Sequence, residues 1–141
     1  MNVLDVNVLV ALYRPSHFHH GAATRWFDES RTKGEPFTVP DVVWAGFLRL
    51  VSNRRVMLAP ATFAEAWDFV TAVREQGTYL QFAPSPRTLS EFAHLGMNTN
   101  ASANLVTDAY IAAYAATLGG TVVTFDRDFR KFDGVRIFEP A

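Results

Sequence analysis

The sequence predicts an α/β fold with a mostly parallel central sheet flanked by helices. Short, valine-rich apolar segments alternate with longer segments in which apolar residues recur at helical spacing, and proline or glycine separates most of them. Strands that alternate with helices favour parallel pairing, because each helix carries the chain back across the sheet. The 141 residues, 49% of them hydrophobic, suit one folded domain over residues 1–141.

The first half of the chain begins with a short buried strand predicted at residues 2–5. The valine-rich run at 6–13 fits either a strand or a helix, because periodicity does not separate the two in so short a segment. The segments that follow are a helix at 18–33 ended by Gly34, a strand at 36–40 between two prolines, a helix at 41–52, and a helix at 62–76 ended by Gly77.

The second half continues the alternation of strands and helices. An alanine-rich helix is predicted at 105–118, closed by Gly119 and Gly120, and it leads into the strongest strand signal, TVVTF at 121–125. The remaining segments are a strand at 78–82, a helix at 87–96 ended by Gly96, a polar loop at 98–104, a helical turn at 126–132 and a last strand at 135–139.

Composition excludes several classes of function. The chain has no cysteine, so disulfides, thiolate catalysis and cysteine-ligated metals are excluded, and a reducing, cytoplasmic location is expected. No segment approaches the roughly 18 consecutive apolar residues that a membrane span needs. The formal net charge is −1, which implies no bulk attraction to nucleic acid or to a membrane surface.

Three aspartates occupy positions that suggest a shared site. Asp5 ends the first strand, Asp126 ends the strand at 121–125, and Asp108 lies on the alanine-rich helix. Sites of open parallel sheets form at the carboxyl ends of the strands, so Asp5 and Asp126 are expected to face one crevice. Taken singly, Asp5 and Asp126 also fit helix caps, and Asp108 also fits a solvated helix face.

Carboxylates that meet in one crevice need protons or a cation. Two of them about 4 Å apart repel by about 4 kcal/mol at an effective dielectric constant of about 20. Hard oxygen ligands select Mg²⁺ or Mn²⁺. The histidine-rich segment HFHH at 17–20 lacks a neighbouring Cys or Glu at zinc spacing, and we interpret it as a surface loop. No phosphate-binding glycine loop and no nucleophile elbow is present.

Three motifs together carry a family likeness. The segments LDVNVLVAL, TDAYIAA and TVVTFDRDF occur in this order, and each contains one of the three aspartates. They resemble the motifs of the PIN domain, and more narrowly those of the toxin nucleases of VapBC toxin–antitoxin modules. The resemblance covers the whole chain and implies a PIN-like three-layer sandwich.

The resemblance also implies an activity, a cofactor and partners. The expected function is a Mg²⁺- or Mn²⁺-dependent endoribonuclease that cleaves structured RNA, such as tRNA or rRNA. Asp5, Asp108 and Asp126 are the catalytic and metal-binding residues that it implies, with Asn7, Thr124 and Asp128 as supporting polar neighbours. The implied partners are a cognate VapB-type antitoxin, the RNA substrate and a second copy of the chain in a homodimer.

The chain departs from the family pattern in VVWAGFLRL at 42–50. Many PIN domains carry a metal-side Glu on the helix after the second strand, and Gly46 stands at or close to that position. Either Gly46 lets another segment pack closely, or the ligand position is vacant and is filled by water or by Arg49. Asp41 is the nearest carboxylate, but it lies over a turn away and is expected only to cap the helix.

Two other functions remain open from the sequence. One is a non-catalytic PIN-like module that binds RNA or protein through a degenerate acidic site. The other is an aspartyl-phosphate phosphohydrolase, which needs a second Asp where the chain has Asn7. A nuclease also needs a basic rim, with candidates at Arg49, Arg54, Arg55, Arg127, Arg130 and Lys131. Trp67 and Phe69 suit a partner groove or, preferably, the core.

Overall fold

A four-stranded sheet forms the centre of the protein, in the strand order β2-β1-β3-β4. The computed structural model describes all residues from 1 to 141. Every strand pair is parallel, which confirms the predicted α/β class with a parallel sheet. The strands are β1 (Asn2–Leu4), β2 (Phe37–Thr38), β3 (Thr121–Val123) and β4 (Arg136–Phe138).

Six helices and one short 3₁₀ helix surround the sheet. Helix α1 packs on both α2 and α3, α3 packs on α4, α5 packs on α6, and α6 contacts β3. A cluster of 26 buried residues joins the sheet to the helices. None of the helices has both the length and the apolar character needed to cross a membrane. Their bounds are α1 (Val6–Tyr13), α2 (His20–Thr32), α3 (Asp41–Val51), α4 (Phe63–Arg74), α5 (Thr88–Thr99), α6 (Asn104–Thr117) and the 3₁₀ helix (Arg127–Lys131).

The ambiguous run at 6–13 is the helix α1. Asp5 precedes it in an extended conformation, and its Oδ1 accepts a 2.7 Å hydrogen bond from the Val6 N–H. The chain turns from strand to helix at that residue, so the strand predicted at 2–5 ends at Leu4. Helix α1 lies between α2 and α3, with half of its residues buried and none exposed. A helix that is covered on several sides shows no polar face in its sequence.

The prediction of a strand at 78–82 is wrong. Only Tyr79 forms a bridge, to Phe37 on the outer edge of the sheet. The adjacent strand, predicted at 36–40, is reduced to Phe37–Thr38, because Pro36 and Pro40 have no N–H for the ladder. So short a strand gives residues 80–82 no backbone partner beyond Leu80, whose N–H donates to the Phe37 carbonyl.

The helix predicted at 87–96 continues beyond Gly96 to Thr99. Gly96 sits inside α5, where an added Cβ would meet nothing within 4 Å, and the helix ends at Asn100 in the left-handed conformation (φ 48°). Asn tolerates that conformation, so it supplies the stop that glycine often provides. The polar loop predicted at 98–104 shrinks accordingly. The helix predicted at 18–33 begins two residues later, at His20, because His17–His19 form a turn.

Candidate functional site: a carboxylate cleft at the ends of β1 and β3

The register of β1 and β3 brings the residues after both strands together. Leu4 pairs with Val123, and the Asp5 N–H donates a 3.0 Å hydrogen bond to the Val123 carbonyl. Asp5 and Thr124 therefore lie side by side at the carboxyl edge of the sheet. Both are almost fully buried, with 3% and 1% of their surfaces exposed.

Thr124 connects the polar groups at this edge. Its hydroxyl donates a 2.8 Å hydrogen bond to Asp5 Oδ2 and accepts hydrogen bonds from the Asn7 side-chain amide at 3.2 Å and from the Asp126 N–H at 2.9 Å. The side-chain oxygen Oδ1 of Asn7 accepts a 3.2 Å hydrogen bond from the Phe125 N–H. Asn7 thus binds both the hydroxyl and the backbone of the segment after β3, and holds that segment against α1.

Asp126 is the N-cap residue of the 3₁₀ helix that follows β3. Its Oδ1 accepts a 2.9 Å hydrogen bond from the Asp128 N–H, as expected for a cap. Asp126 therefore has two roles, since it also lines the same cleft as Asp5. Asp128 lies further out, where its Oδ1 is 3.2 Å from Lys131 Nζ.

Asp108 reaches this cleft from α6. Ala109, Ala112 and Ala115 on the same helix are fully buried, so α6 lies close to the sheet and carries the half-buried Asp108 to its edge. The cleft has a volume of about 240 Å³. Its walls are formed by Asp5, Val6, Asn7, Val42, Val43, Gly46, Arg49, Leu50, Asn104, Thr107, Asp108, Ile111 and Asp126. The structure therefore brings Asp5, Asp108 and Asp126 to one cavity.

The carboxyl groups in the cleft are difficult to ionise. Burial is the main cause of a rise in the pKa of Asp5 to about 6; the Asp126 charge adds to this rise, and the hydrogen bonds from Thr124 and Val6 oppose it. Burial, together with the negative charges of Asp5, Asp126 and Asp128, raises the pKa of Asp108 to about 7. The cleft thus contains more negative charge than its protein neighbours compensate.

The donor chemistry of the cleft suits a hard divalent cation. Carboxylate oxygens and an Asn side chain are the groups that Mg²⁺ and Mn²⁺ prefer, and a cation would relieve the repulsion that raises both pKa values. In the protein alone, no three His, Cys, Asp or Glu side chains stand close enough together to bind one ion. Binding therefore requires a small approach of the carboxylates or water between them and the ion.

Gly46 lines the cleft from α3, and close packing does not explain it. A Cβ on Gly46 would meet only a Val6 methyl at 3.8 Å, an ordinary contact distance. Arg49, one turn later, is the only basic residue in the cleft wall. Asp41 lies in a different groove, and the expectation that it caps α3 is wrong: Pro40 holds the cap position and Asp41 is the first helical residue.

The other predicted basic residues are less directly placed. Arg127 and Arg130 face Glu139 at 3.8 and 3.7 Å, and they line a small depression beside Asp126. Lys131 pairs with Asp128, while Arg54 and Arg55 lie in the turn after α3, outside the cleft wall.

Sequence reasoning missed two polar residues of the cleft wall, Asn104 and Thr107. Asn104 precedes Asp108 by one helical turn, and Thr107 directly precedes Asp108 in the chain. Their positions on α6 relative to Asp108 could therefore have predicted that they lie beside it. Residues 17–19 of the HFHH segment form the predicted turn at the surface, and His20 begins α2. The turn is close to the site, since the His19 ring stacks on Phe125. On α4, Phe69 packs on Tyr13 and Phe47 in the core, whereas Trp67 is 41% exposed.

Comparisons with known proteins give a consistent result. The family described as PIN domain matches residues 3–135. Ribonuclease VapC31 of Mycobacterium tuberculosis is 44% identical over 140 residues, and Ribonuclease VapC25 of the same organism is 42% identical over 140 residues, each with 99% of both chains covered. The structure of VapBC2 from Rickettsia felis bound to a promoter DNA fragment has a TM-score of 0.77 at 14% identity, covers 99% of this chain and 98% of that chain, and shows a likeness of fold.

Proposed function

Because the chain belongs to the PIN-domain family, in its VapC branch, we propose that it is a metal-dependent endoribonuclease and the toxin of a VapBC toxin–antitoxin pair. The family membership confirms the resemblance of the three sequence motifs. The observation that carries the proposed chemistry is the meeting of Asp5, Asp108 and Asp126 at one cleft, with raised pKa values at the first two.

Mg²⁺ or Mn²⁺ is the proposed cofactor. When bound, such an ion supplies Lewis-acid polarisation of a phosphodiester and a water of lowered pKa. Asp5, Asp108 and Asp126 are the proposed ligands, because they supply the negative charge that the cleft leaves uncompensated. Asp5 is held in place by two hydrogen bonds, from Val6 and from Thr124. Asn7 and Thr124 fix the separation of the two strand ends, and so the orientation of Asp5 and Asp126.

Arg49 has a complementary proposed role. It is the cation of the cleft wall, it is exposed, and it forms no ion pair. A guanidinium in this position suits a phosphate of the RNA backbone, which an acidic cleft would otherwise repel. Gly46 leaves this side of the cleft open, since a Cβ there would meet only a Val6 methyl at 3.8 Å.

The aspartyl-phosphate alternative is less well supported. That chemistry needs a proton-transferring carboxylate two residues after the nucleophile, and Asn7 is committed to Thr124 and Phe125. Covalent phosphate on Asp5 would restore this alternative. The non-catalytic alternative predicts RNA or protein binding without measurable Mn²⁺ binding, which titration calorimetry tests directly.

The nuclease proposal is tested with purified protein and a pool of cellular RNA. We expect cleavage in Mg²⁺ or Mn²⁺, no cleavage in EDTA, and a loss of roughly 100-fold or more in Asp5→Asn and Asp108→Asn, because a metal site contributes several kcal/mol to the transition state. Asp68→Asn, the same chemical change at an exposed residue of α4, is the matched control and should cleave normally. Cleavage that persists in EDTA and in both aspartate variants would indicate a contaminating nuclease.

The RNA class is proposed from the family likeness. Structured RNA, such as tRNA or rRNA, is the expected target. Mapping of RNA ends after induced expression of the wild type and of Asp108→Ala in parallel cultures identifies it. New ends that occur equally in both cultures would exclude this chain as their source.

A VapB-type antitoxin is the proposed partner. The matched Rickettsia felis structure is a VapBC2 assembly, which supports an equivalent assembly here. Co-expression with the product of a neighbouring small reading frame should relieve growth arrest and yield a co-purifying complex. A homodimer is also proposed, and light scattering of the inactive Asp108→Asn protein tests it, with a monomeric mass at micromolar concentration as the contrary result.

A further inference from the structure

The turn before α2 presents three aromatic rings in contact. The His19 ring lies flat on the Phe125 ring, with centroids 4.1 Å apart and an interplanar angle of 4°. The Phe18 ring meets His19 edge to face, with centroids 4.8 Å apart at 83°. We call Phe18, His19 and Phe125 the aromatic rim. The HFHH segment is thus connected to the residue between Thr124 and Asp126.

Phe18 is the exposed end of the aromatic rim. The residue is 92% exposed, so most of the surface of its ring lies in water. The turn that carries it is held by the His17 N–H donating to the Arg14 carbonyl and the His19 N–H donating to His17 Nδ1, both at 3.0 Å. His20 Nδ1 contacts the Ala11 carbonyl at 2.7 Å. A large apolar ring is therefore held outside the core by an ordered turn.

The aromatic rim borders the carboxylate cleft. The Phe125 N–H donates to Asn7, and its chain neighbour Asp126 lines the cleft. On the other side, Phe125 lines the small depression that also contains Arg127 and Arg130. These two arginine side chains are 75% and 65% exposed, and their nitrogens lie 3.8 and 3.7 Å from Glu139. Ring surface, arginines and carboxylates thus follow one another along the same edge.

We infer that Phe18, supported by His19 and Phe125, stacks on an unpaired nucleobase of single-stranded RNA next to the carboxylate cleft. Nucleobases that are not paired offer their flat faces, and exposed aromatic side chains stack on them. A duplex hides those faces between neighbouring base pairs. The arginines beside Phe125 suit the backbone phosphates of the same strand. The inference rests on the proposed function, because that proposal makes RNA the polymer that enters the cleft.

The test measures binding in the Asp108→Asn background, so that cleavage does not interfere. The probes are a short single-stranded RNA with one 2-aminopurine and a fully paired RNA of the same length. We expect Phe18→Ala to weaken single-strand binding by about 5- to 150-fold, to abolish the quenching of 2-aminopurine, and to leave duplex binding unchanged. Phe18→Trp should bind at least as tightly as the parent protein.

Phe63→Ala is the matched control. Phe63 is also exposed, at 64%, and stacks on Trp67, but it lies on α4 and outside the cleft wall. It should bind both RNAs normally. The melting temperature of Phe18→Ala should equal that of the parent, because so exposed a ring contributes little to the core. Unchanged single-strand binding, or an equal loss with the duplex, would overturn the inference.

The outcomes separate this inference from the nuclease proposal. Metal-dependent cleavage by the wild type together with normal RNA binding by Phe18→Ala would leave the nuclease proposal standing and overturn the stacking role. Loss of single-strand binding in Phe18→Ala, in a protein that cleaves nothing, would support the stacking role alone. Loss of antitoxin binding with RNA binding intact would overturn the stacking role in favour of a protein contact.

Discussion

The Thr124 hydroxyl donates a 2.8 Å hydrogen bond to Oδ2 of Asp5, although the two residues are 119 positions apart in the chain. The same hydroxyl accepts from Asn7 and from the Asp126 N–H, so all of its hydrogen-bonding capacity is used inside the protein. This one oxygen therefore determines how the ends of β1 and β3 approach each other.

Replacing Thr124 by Val removes these three hydrogen bonds at nearly constant volume. We expect Thr124→Val to lower the free energy of unfolding by about 1–3 kcal/mol, because a buried carboxylate oxygen and an amide lose their partner. The pKa of Asp5 should rise further, since the Thr124 hydrogen bond lowers it now. Urea unfolding at neutral pH measures the first effect. Thr124→Ser keeps the hydroxyl, and a loss as large as in Thr124→Val would show that the methyl group matters instead.

The raised pKa values predict an unusual pH dependence for the metal-free protein. The ordinary pKa of both carboxyls is 3.8, and the folded protein raises it to about 6 at Asp5 and about 7 at Asp108. Folding thus favours the protonated forms. This stabilisation is complete below about pH 3.8 and is lost as the pH rises through 6 and 7. For the buried Asp5, the loss is about 3 kcal/mol.

Comparison with Asp108→Asn isolates this effect from other titrations. In EDTA, the variant should be similar to the wild type near pH 4 and more stable than it near pH 8, because an amide does not ionise. Urea unfolding across this range measures the difference. A constant difference between the two proteins at every pH would contradict the assignment.

Replacement by alanine should have opposite effects on stability at two glycines, Gly46 and Gly120. At Gly46 a new Cβ meets only a Val6 methyl at 3.8 Å, so Gly46→Ala should stabilise α3 by up to about 1 kcal/mol through helix propensity. At Gly120 a Cβ would lie 2.9 Å from the Met1 carbonyl oxygen, so Gly120→Ala should destabilise the protein by roughly 1–3 kcal/mol. Thermal unfolding of the two variants tests the pair. Destabilisation by Gly46→Ala would instead support the interpretation that Gly46 lets another segment pack closely on α3.

Arg49 predicts a change in substrate binding rather than in folding. It is exposed and forms no ion pair, so Arg49→Gln should leave the melting temperature unchanged. For the proposed nuclease, KM should rise several-fold, as expected for one lost phosphate contact, while the Mg²⁺ concentration for half-maximal rate should fall or stay constant. Arg54→Gln, outside the cleft wall, is the control. A lower kcat with unchanged KM would place Arg49 in the chemical step instead.

The sequence was most informative where a residue's role depends on its own segment. The strands β1 and β3 and the alanine-rich α6 were evident from local composition, although both strands end earlier than predicted. Their order along the chain predicted that Asp5 and Asp126 face one crevice, and the family likeness added Asp108. The parallel order of the strands followed from the alternation of helices and strands. These features depend on periodicity and on chain order, which a single sequence contains.

Features that depend on distant partners could not be derived in this way. Residues 78–82 have strand-like composition, but the two-residue β2 gives them almost nothing to pair with. Gly96 resembles a helix stop, yet α5 continues because Asn100 adopts the left-handed conformation. The stacking of His19 on Phe125 joins residues from opposite ends of the chain. No local pattern encodes such contacts.

The hydrogen bonds between Thr124 and the first helical turn have a consequence for synthesis on the ribosome. They span 117 to 119 residues, so the carboxylates of the cleft cannot meet until nearly the whole chain has emerged. β1 likewise cannot pair with β3, its neighbour in the centre of the sheet, until residues 121–123 have been made. Until then, only contacts among the earlier residues can form, such as the pairing of β1 with β2 and the packing of α1 on α3. An unfinished copy therefore lacks the assembled cleft, and a truncated product ending before residue 121 should be harmless to the cell that makes it.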